Sequence, residues 1–294
     1  MAAETLPGIK KGADLKTLKT IIVGHDFSEG ADHALADAMA LSNRFHSEII
    51  VAHVEEPETP GLLEGSLSNR KSRANIALQD IRKRIDLAGH PCRKVLRSGD
   101  VAKRLIEIGD EEDADLLLLG AYGHGSKDRK TLGATTERLL RSMSCPVLTY
   151  GPKVNNATFR WQEGMSILVP IELPCEERYL KFAISVAKLF QARLEVLHVV
   201  DMNRALSMPH AFQDMAYTCE NIACHLRAGE VSVSASLLFG EPEKAIVSRS
   251  QELCSSLILM PLETRRSLSS PTSDNVAASV IRSAVTPVMT YRIN

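Results

Sequence analysis

The stretch Leu116-Leu117-Leu118-Leu119-Gly120-Ala121-Tyr122-Gly123 decides the fold of this chain. It is a short apolar run that Asp115 introduces and glycine closes. Four leucines are far too few to cross a membrane, and the glycine-rich end is typical of a buried strand in a parallel sheet. A polar, basic loop comes next. Gly133 then precedes a helical pattern whose apolar positions are Leu139, Leu140 and Met143.

The order of strand, glycine turn, basic loop and helix start suits the binding of phosphate. Glycine lets backbone N–H groups approach a ligand, and the start of a helix offers unpaired N–H groups with partial positive charge. The spacing is G-x2-G-x9-G, from Gly120 through Gly123 to Gly133, with Thr135 and Thr136 as further hydroxyl donors. This spacing differs from the dinucleotide-binding and P-loop motifs. Three ordinary turn glycines are the alternative interpretation.

Strands and helices alternate along the first half of the chain. Apolar, β-branched runs predict strands at 20–25 and 48–54, a weak strand at 93–97 and a short one at 146–150. Residues 55–70 are rich in Pro, Gly, Glu and Ser and predict a loop. The apolar positions of the first helix are Ala31, Ala34, Leu35, Ala38, Leu41 and Phe45, and those of the second, at about 71–88, are Ile76, Ile81 and Ile85. The alternation predicts a parallel α/β sheet with right-handed crossovers.

The second half of the chain repeats the first. Pro146–Tyr150 returns as Pro287–Tyr291 at an offset of 141 residues, with Pro, Val, Thr and Tyr in the same places. The further equivalences are Gly99 with Gly240, Leu116–Leu119 with Leu257–Met260, Ile21–Gly24 with Ile167–Pro170, and Ala52–Val54 with Leu197–Val199. A repeat of this length indicates a duplicated domain rather than a solenoid unit. The predicted divisions are a domain at 1–150, a domain at 165–294 and a linker at 151–164.

The composition is that of an ordinary globular protein. Of the 294 residues, 44% are hydrophobic and 24% are charged, which is enough for two domains with cores of their own. The net charge of −1, without a basic domain, is not the pattern of a nucleic-acid binder. No run approaches the length of a membrane span and no secretory signal is evident, so we expect a cytoplasmic protein. The six cysteines form no C-x-x-C motif, which argues against a redox or zinc site.

Together with the glycine series, three motifs resemble the ATP-binding signature of the universal stress protein family. They are Ile21–Ser28, which reads Ile-Ile-Val-Gly-His-Asp-Phe-Ser, then Ala52–Val54 and Ser98–Asp100. The resemblance covers nearly the whole chain as a tandem pair. It implies an adenine nucleotide alpha hydrolase-like α/β fold, in which each half is a doubly wound, five-stranded parallel sheet of order 3-2-1-4-5. ATP would lie between strands one and four.

The same resemblance implies a role for each residue around that crevice. Asp26 would contact the adenine side. Apart from the resemblance, no paired carboxylates mark a magnesium site beside the glycine loop, although Asp26 or Asp128 could serve a Mg²⁺ ion that accompanies ATP. The base would be walled by Gly24, His25 and Val54, with Leu119 opposite. Ribose and phosphates would be held by Gly120, Gly123, Gly133, Thr135 and Thr136, while Lys127, Arg129 and Lys130 either screen phosphate charge or form a solvated loop. Ala134 departs from the family, which usually has Ser or Thr there, so Thr135 would have to supply the missing hydroxyl.

The second half lacks most of this motif. Pro261 stands in the place of Gly120, Thr264 of Gly123, Asp274 of Gly133, Glu172 of Asp26 and Pro174 of Ser28. Proline has no N–H to offer a phosphate, and the carboxylate of Asp274 would repel one. We therefore predict one nucleotide site per chain and a degenerate second half.

The sequence leaves three hypotheses for the function. No nucleophile–base pair and no Gly-x-Ser-x-Gly motif is evident, so nothing in the sequence demands an enzyme. The preferred hypothesis is a regulatory stress-response protein that binds ATP with little or no turnover. A slow ATPase or nucleotide transferase on the same fold is the second, and a nucleotide-free interaction module, which Ala134 keeps open, is the third.

His53 and His198 end equivalent strands and are expected to be structural, and core packing is the preferred interpretation of Cys219, Cys224 and His225.

The fifth strand of each half follows its last helix and is expected at a sheet edge. Its leading proline, Pro146 or Pro287, suits an edge because it has no N–H to donate. An exposed apolar edge strand is normally covered. We predict that the two fifth strands pair antiparallel, which makes the chain an intramolecular pseudo-dimer. Similar pairing between single-domain members of the family leaves a homodimer open, and the sequence identifies no protein partner.

Overall fold

The computed structural model describes residues 15–56, 65–123, 132–154, 161–173, 175–200, 218, 220–222, 231–262 and 276–292, with only the backbone described for 65–71. The described strands form one ten-stranded sheet. They are β1 Thr20–Gly24, β2 Glu48–Glu55, β3 Cys92–Ser98, β4 Leu116–Gly120, β5 Val147–Tyr150, β6 Ser166–Ile171, β7 Arg193–Val200, β8 Val233–Phe239, β9 Leu257–Pro261 and β10 Val288–Tyr291.

The helices cover both faces of this sheet. They are α1 Glu29–Phe45, α2 Gly65–Leu87, α3 Val101–Glu111, α4 Ala134–Ser142, α5 Glu177–Phe190, α6 Pro242–Glu252 and α7 Val276–Ser283. One core lies between the sheet and helices α1, α2 and α5, and a second core lies between the sheet and α3, α4, α6 and α7. In the part of the chain that the structure describes, none of these helices is long and apolar enough to cross a bilayer.

The strand order is β3-β2-β1-β4-β5-β10-β9-β6-β7-β8, which is the predicted order 3-2-1-4-5 for each half. Neighbouring strands within each half are parallel, as predicted. The register repeats as well, because Ile21 pairs with Leu116 in the first half and Ile167 pairs with Leu257 in the second. The duplication seen in the sequence is therefore a duplication of structure.

The two halves meet at β5 and β10, which pair antiparallel. Leu148 lies opposite Met289, and these residues are equivalent in the repeat, so a pseudo-two-fold axis passes between them. Both side chains are fully buried. On the α1 side of the junction, the equivalent residues Phe45 and Phe190 meet edge to face, with ring centroids 5.3 Å apart. The predicted pairing of the fifth strands is confirmed, and each apolar edge covers the other.

Helix α2 differs from its prediction in its start and in its buried face. The helix begins at Gly65, so the predicted loop at 55–70 is too long. Ile76 was expected to face inward, but 61% of it is exposed. The buried side chains are instead Ala74, Leu78, Ile81 and Ile85, at the three- and four-residue spacing of one helix face. Five residues separate Ile76 from Ile81, which places Ile76 on another side of the helix.

Candidate functional site

The carboxyl ends of β1 and β4 lie side by side at the point where the strand order reverses. Gly24 pairs with Leu119 in parallel register. Asp26 and Gly123, which follow these strands, therefore emerge at the same edge of the sheet. The Asp26 Oδ2 atom lies 3.3 Å from the position that a Cβ on Gly123 would occupy. The two motifs that the sequence singled out meet in the crevice where open α/β sheets bind ligands.

The turn that follows β1 fixes the direction of the Asp26 carboxylate. Its Oδ1 accepts hydrogen bonds from the backbone N–H of Ser28 at 3.1 Å and from the Ser28 hydroxyl at 2.5 Å. The Ser28 hydroxyl oxygen also accepts from the N–H of Ala31 at 3.3 Å and so caps the start of α1. Phe27, between the two, has a φ of 63°, a left-handed conformation that bulky residues rarely adopt.

Two histidines contact this turn through hydrogen bonds and ring packing. The N–H of Phe27 donates to Nδ1 of His25 at 3.1 Å, and Nδ1 of His53 donates to the carbonyl of His25 at 2.7 Å. The Phe27 ring lies 5.4 Å from the His25 ring and 4.6 Å from the His53 ring, centroid to centroid. Burial lowers the pKa of His25 below its ordinary value, against the raising effect of Asp32 and Asp26.

The structure brings three of the four predicted base walls together. Gly24, Val54 and Leu119 lie on the α3 side of the sheet, where a Cβ on Gly24 would be 3.8 Å from that of Leu119 and 3.4 Å from Leu105. His25 lies apart from them. Side chains alternate along a strand, so His25 faces α1, where its Nε2 is 3.5 Å from Asp32. The expectation that His25 stands beside Gly24 and Val54 must therefore be corrected.

Gly120 serves the packing of the backbone. A Cβ on Gly120 would lie 3.1 Å from the carbonyl carbon of Gly30 and 3.3 Å from the nitrogen of Ala31. The end of β4 thus lies against the first turn of α1, and a side chain on Gly120 would require this backbone to shift. Gly133 is also confined, because its Cβ would lie 3.1 Å from the carbonyl oxygen of Ala121. Of the three glycines, Gly123 is the exposed one that borders Asp26.

The start of α4 is the predicted anion-binding end. Gly133 is its N-cap and makes no side-chain capping hydrogen bond, whereas α1 is capped by Ser28 and α3 by Asp100. The first N–H groups of a helix have no partner within the helix. The predicted hydroxyls have different surroundings. Thr136 is buried and donates to the carbonyl of Ala121 at 3.2 Å, while Thr135 is half-buried and Ala134 is exposed.

Several predicted contributors lie outside the described residues. They are Lys127, Asp128, Arg129 and Lys130 of the first half, and Pro174, Cys219, Cys224, His225, Thr264 and Asp274 of the second. Within the described ranges, no group of three or more His, Cys, Asp and Glu side chains could hold a metal ion.

The equivalent crevice of the second half is built from different residues. Pro170 occupies the place of Gly24 within β6, and Pro261 ends β9 where Gly120 ends β4. Ile171 and Glu172 follow in the places of His25 and Asp26. One contact is retained, because Nδ1 of His198 donates to the carbonyl of Ile171 at 3.0 Å, as His53 does to His25. The two equivalent histidines thus make the same contact with the backbone at the end of the first strand of each half.

A cavity of about 210 Å³ lies at the opposite edge of the sheet. It is lined by Leu15, Lys16, Thr17, Ala114, Asp115, Cys145 and Pro146, at the amino ends of β1, β4 and β5. The Asp115 carboxylate there accepts from the N–H groups of Lys19 at 2.7 Å and Thr20 at 3.0 Å. These hydrogen bonds connect the residue that precedes β4 to the start of β1. The cavity is separate from the crevice at Asp26.

Comparison with known proteins supplies an independent description of the chain. The sequence profile of the "Universal stress protein family" matches residues 17–150 and again residues 165–292. The chain is 29% identical over 135 residues to "Universal stress protein in QAH/OAS sulfhydrylase 3'region" of Thermus aquaticus, which covers 44% of this chain and 96% of that protein. It is 25% identical over 150 residues to "Universal stress protein MJ0577" of Methanocaldococcus jannaschii, which covers 44% of this chain and 93% of that one.

A solved structure matches both halves together. The crystal structure of a universal stress protein from Archaeoglobus fulgidus superposes with a TM-score of 0.72 and covers 94% of this chain and 98% of its own. The identity is 20%, so this likeness concerns the fold alone. The single-length relatives each match less than half of the chain, whereas this one spans the ten-stranded sheet.

Proposed function

Because the chain belongs to the universal stress protein family, we propose that it is a regulatory stress-response protein that binds one ATP in its N-terminal half. The observation that carries this proposal is the meeting of Asp26 with Gly123, near the start of a helix whose N-cap, Gly133, has no side chain to cap it. A glycine turn and an open helix terminus favour a phosphate together more than either does alone.

Each described residue of the crevice has a proposed task. Gly24, Val54 and Leu119 form the apolar wall for adenine, because they share one face of the sheet. Asp26 lies on the adenine side, as the resemblance implies. The phosphates lie against the backbone of Gly123, Gly133 and Ala134 and the hydroxyl of Thr135, with Mg²⁺ as their counter-ion. Gly120 and Thr136 act indirectly, since their described contacts are within the protein.

The second half is proposed to bind no nucleotide. Pro170 fills the position that Gly24 leaves open, and Pro261 removes an N–H at the end of β9. This half supports the first through the β5–β10 junction. We propose binding with little or no hydrolysis. The activity that Asp26 supports best is recognition, because Ser28 already donates two hydrogen bonds to its Oδ1 atom.

Calorimetry with ATP and Mg²⁺ tests this proposal. We expect one site per chain, and Gly123→Val should weaken binding by about tenfold or more, which is about 1.4 kcal/mol. The added side chain would begin 3.3 Å from Asp26 Oδ2 and displace that carboxylate. Gly123 is exposed, so the variant should keep its melting temperature. Thr264→Val, at the equivalent position of the second half, is the matched control and should bind like the wild type. Two equivalent sites, or none, would overturn the proposal.

A further inference from the structure

We propose that the second half takes part in the nucleotide site through Arg292, a positioning residue that holds the far end of the helix whose start faces the phosphates. The Arg292 side chain crosses the junction between the halves and binds the last turn of α4. The affinity of the first half for phosphate would therefore depend on a residue of the other half. This inference rests on the proposed function and gives the second half a part in it.

The first observation is the contact between Arg292 and α4. Arg292 directly follows β10, and its Nε atom donates to the carbonyl oxygen of Leu140 at 2.8 Å. Leu140 lies in the last turn of α4, which ends at Ser142. The last carbonyl groups of a helix have no partner within the helix, so the second half supplies the partner for this one. A guanidinium at this place also complements the partial negative charge of the helix end.

The second observation is the equivalent contact on the other side of the pseudo-two-fold axis. At the repeat offset of 141 residues, Gly151 corresponds to Arg292, and Ile281 of α7 corresponds to Leu140. Gly151 directly follows β5, and a Cβ on it would collide with the carbonyl oxygen of Ile281. Each half thus touches the last turn of the other half's last helix. The contact toward α7 is made by glycine, and the contact toward α4, the helix of the proposed nucleotide site, is made by a cation.

Helix α4 is short enough to need support at this end. It has nine residues, and at about 1.5 Å per residue it is about 13 Å long. Helices of this length are marginal without tertiary contacts. Its N-cap, Gly133, makes no side-chain capping hydrogen bond, so the start of the helix receives no support from a capping side chain. The place of its first turn therefore depends on what holds the rest of the helix.

The charge of Arg292 acts on the end of α4 rather than on a carboxylate. Within the described ranges, Arg292 forms no ion pair. Burial lowers its pKa, the nearby Arg141 guanidinium lowers it further, and Tyr179 opposes both effects. The guanidinium nevertheless stays protonated, as arginine does in proteins. Because the side chain is half-buried, salt and water screen its charge less than they screen that of an exposed arginine.

The two ends of α4 are coupled for a physical reason. A phosphate at the start and a cation at the end both complement the helix dipole, and both contacts require the helix in the same place. If Arg292 favours bound phosphate, then bound phosphate must favour the contact between Arg292 and Leu140 by the same factor. The inference can therefore be tested from either end of the helix.

Calorimetry with ATP and with adenosine separates this role from a general effect on the fold. Arg292→Met keeps an unbranched apolar side chain but removes the cation and the donor, so it should bind ATP about fivefold more weakly. Adenosine has no phosphate to place against α4, so its affinity should stay within about twofold of that of the wild type. Arg292→Lys keeps the charge and should bind ATP within about twofold of the wild type. Arg282→Met removes the same charge from the last turn of α7 and is the matched control, which should bind ATP like the wild type.

The outcomes are distinguishable. The role of Arg292 is wrong, and the proposed function stands, if Arg292→Met binds ATP like the wild type, loses ATP and adenosine equally, is not improved upon by lysine, or is matched by Arg282→Met. If the wild type binds no ATP, the proposed function fails and takes this inference with it. Should Arg292→Met unfold, nitrogen NMR of the wild type decides. The Arg292 Nε–H must exchange with water more slowly when ATP is bound than when adenosine is bound, and equal exchange overturns the inference.

Discussion

The two halves of the sheet share a topology and a register, yet they differ where strands one and four of each half end. In the first half, the end of β4 approaches the first turn of α1 so closely that a Cβ on Gly120 would lie 3.1 Å from Gly30. In the second half, β9 ends on Pro261. Helix α1 has 17 residues and α5 has 14, although both end in an equivalent left-handed residue, His46 and Gln191. The missing turn is therefore at the start of α5.

This difference teaches that the glycines of the first half are part of one close-packed arrangement. The helix start, the strand end and the Asp26 turn depend on each other through backbone contacts. In the second half, a proline at the strand end is found together with a shorter helix. If the second half binds no nucleotide, as we propose, this packing contributes to the loss together with the missing N–H groups.

The cores of the two halves differ as well. In the first half, Ile50 and Ile108 are both buried in the core under α3. Their counterparts by register and repeat are Glu195 and Arg249, whose Oε1 and Nε atoms are 2.6 Å apart. Ser236 donates to the same Glu195 oxygen at 2.7 Å. Two buried apolar side chains of one copy are thus replaced in the other by an ion pair between a buried Glu195 and a half-buried Arg249.

The largest expected effect comes from separating the halves. Leu148→Lys with Met289→Lys would bury two ammonium groups on the pseudo-two-fold axis, where both wild-type side chains are fully buried. Several kcal/mol per ion is the usual penalty, so we expect a loss of about 5 kcal/mol or more in the free energy of unfolding. Small-angle scattering should show a larger radius of gyration.

Phe239→Lys is the control for that experiment. Phe239 ends the outer strand β8 and is 51% exposed, so lysine there should change the stability by no more than about 0.5 kcal/mol. If the double variant kept the stability and radius of the wild type, the β5–β10 junction would be wrong.

A smaller effect on stability should come from replacing the Glu195–Arg249 ion pair of the second half with the isoleucines found at the equivalent positions of the first half. Arg249→Ile alone leaves the Glu195 carboxylate buried without its cation, and we expect a loss of about 3 kcal/mol. Glu195→Ile together with Arg249→Ile recreates the apolar pair of the first half. Buried ion pairs are often no better than apolar residues of similar size, so the double variant should come within about 1 kcal/mol of the wild type. Urea unfolding measures both. A double variant as unstable as the single one would mean that the two cores are not interchangeable.

The sequence predicts the architecture well because its signals are local and repeated. Apolar runs mark each strand, and the duplicated Pro-Val-x-Thr-Tyr ending of residues 146–150 and 287–291 indicates the junction. The error at His25 was avoidable, since adjacent residues of a strand face opposite sides and His25 follows Gly24. The role of Gly120 could not be predicted, because it depends on contact with Gly30, 90 residues earlier. Nor does any residue type signal the left-handed Phe27, whose conformation arises from the rings around it.

The last expected effect depends on pH and concerns another polar residue that only one half contains. The Asp37 carboxylate of α1 accepts a hydrogen bond from the Tyr150 hydroxyl at 2.7 Å. The equivalent tyrosine of the second half, Tyr291, instead stacks on Phe182, the counterpart of Asp37, with ring centroids 4.2 Å apart. Burial raises the pKa of Asp37 from 3.8 to about 6, although the hydrogen bond from Tyr150 acts in the opposite direction.

Asp37→Asn should therefore change how stability depends on pH. A carboxyl whose pKa is raised by folding stabilises the protein below its unfolded pKa of 3.8, and that stability is lost as the pH rises through about 6. The asparagine variant keeps an acceptor for Tyr150 but cannot titrate. Relative to the wild type it should gain up to about 3 kcal/mol between these two pH values, since each pKa unit corresponds to about 1.4 kcal/mol. Urea unfolding across this range measures the gain. If the two proteins differed in free energy of unfolding by the same amount at every pH, folding would not raise the pKa of Asp37. The contact between Asp37 and Tyr150 would then be as independent of pH as the stacked rings of the second half.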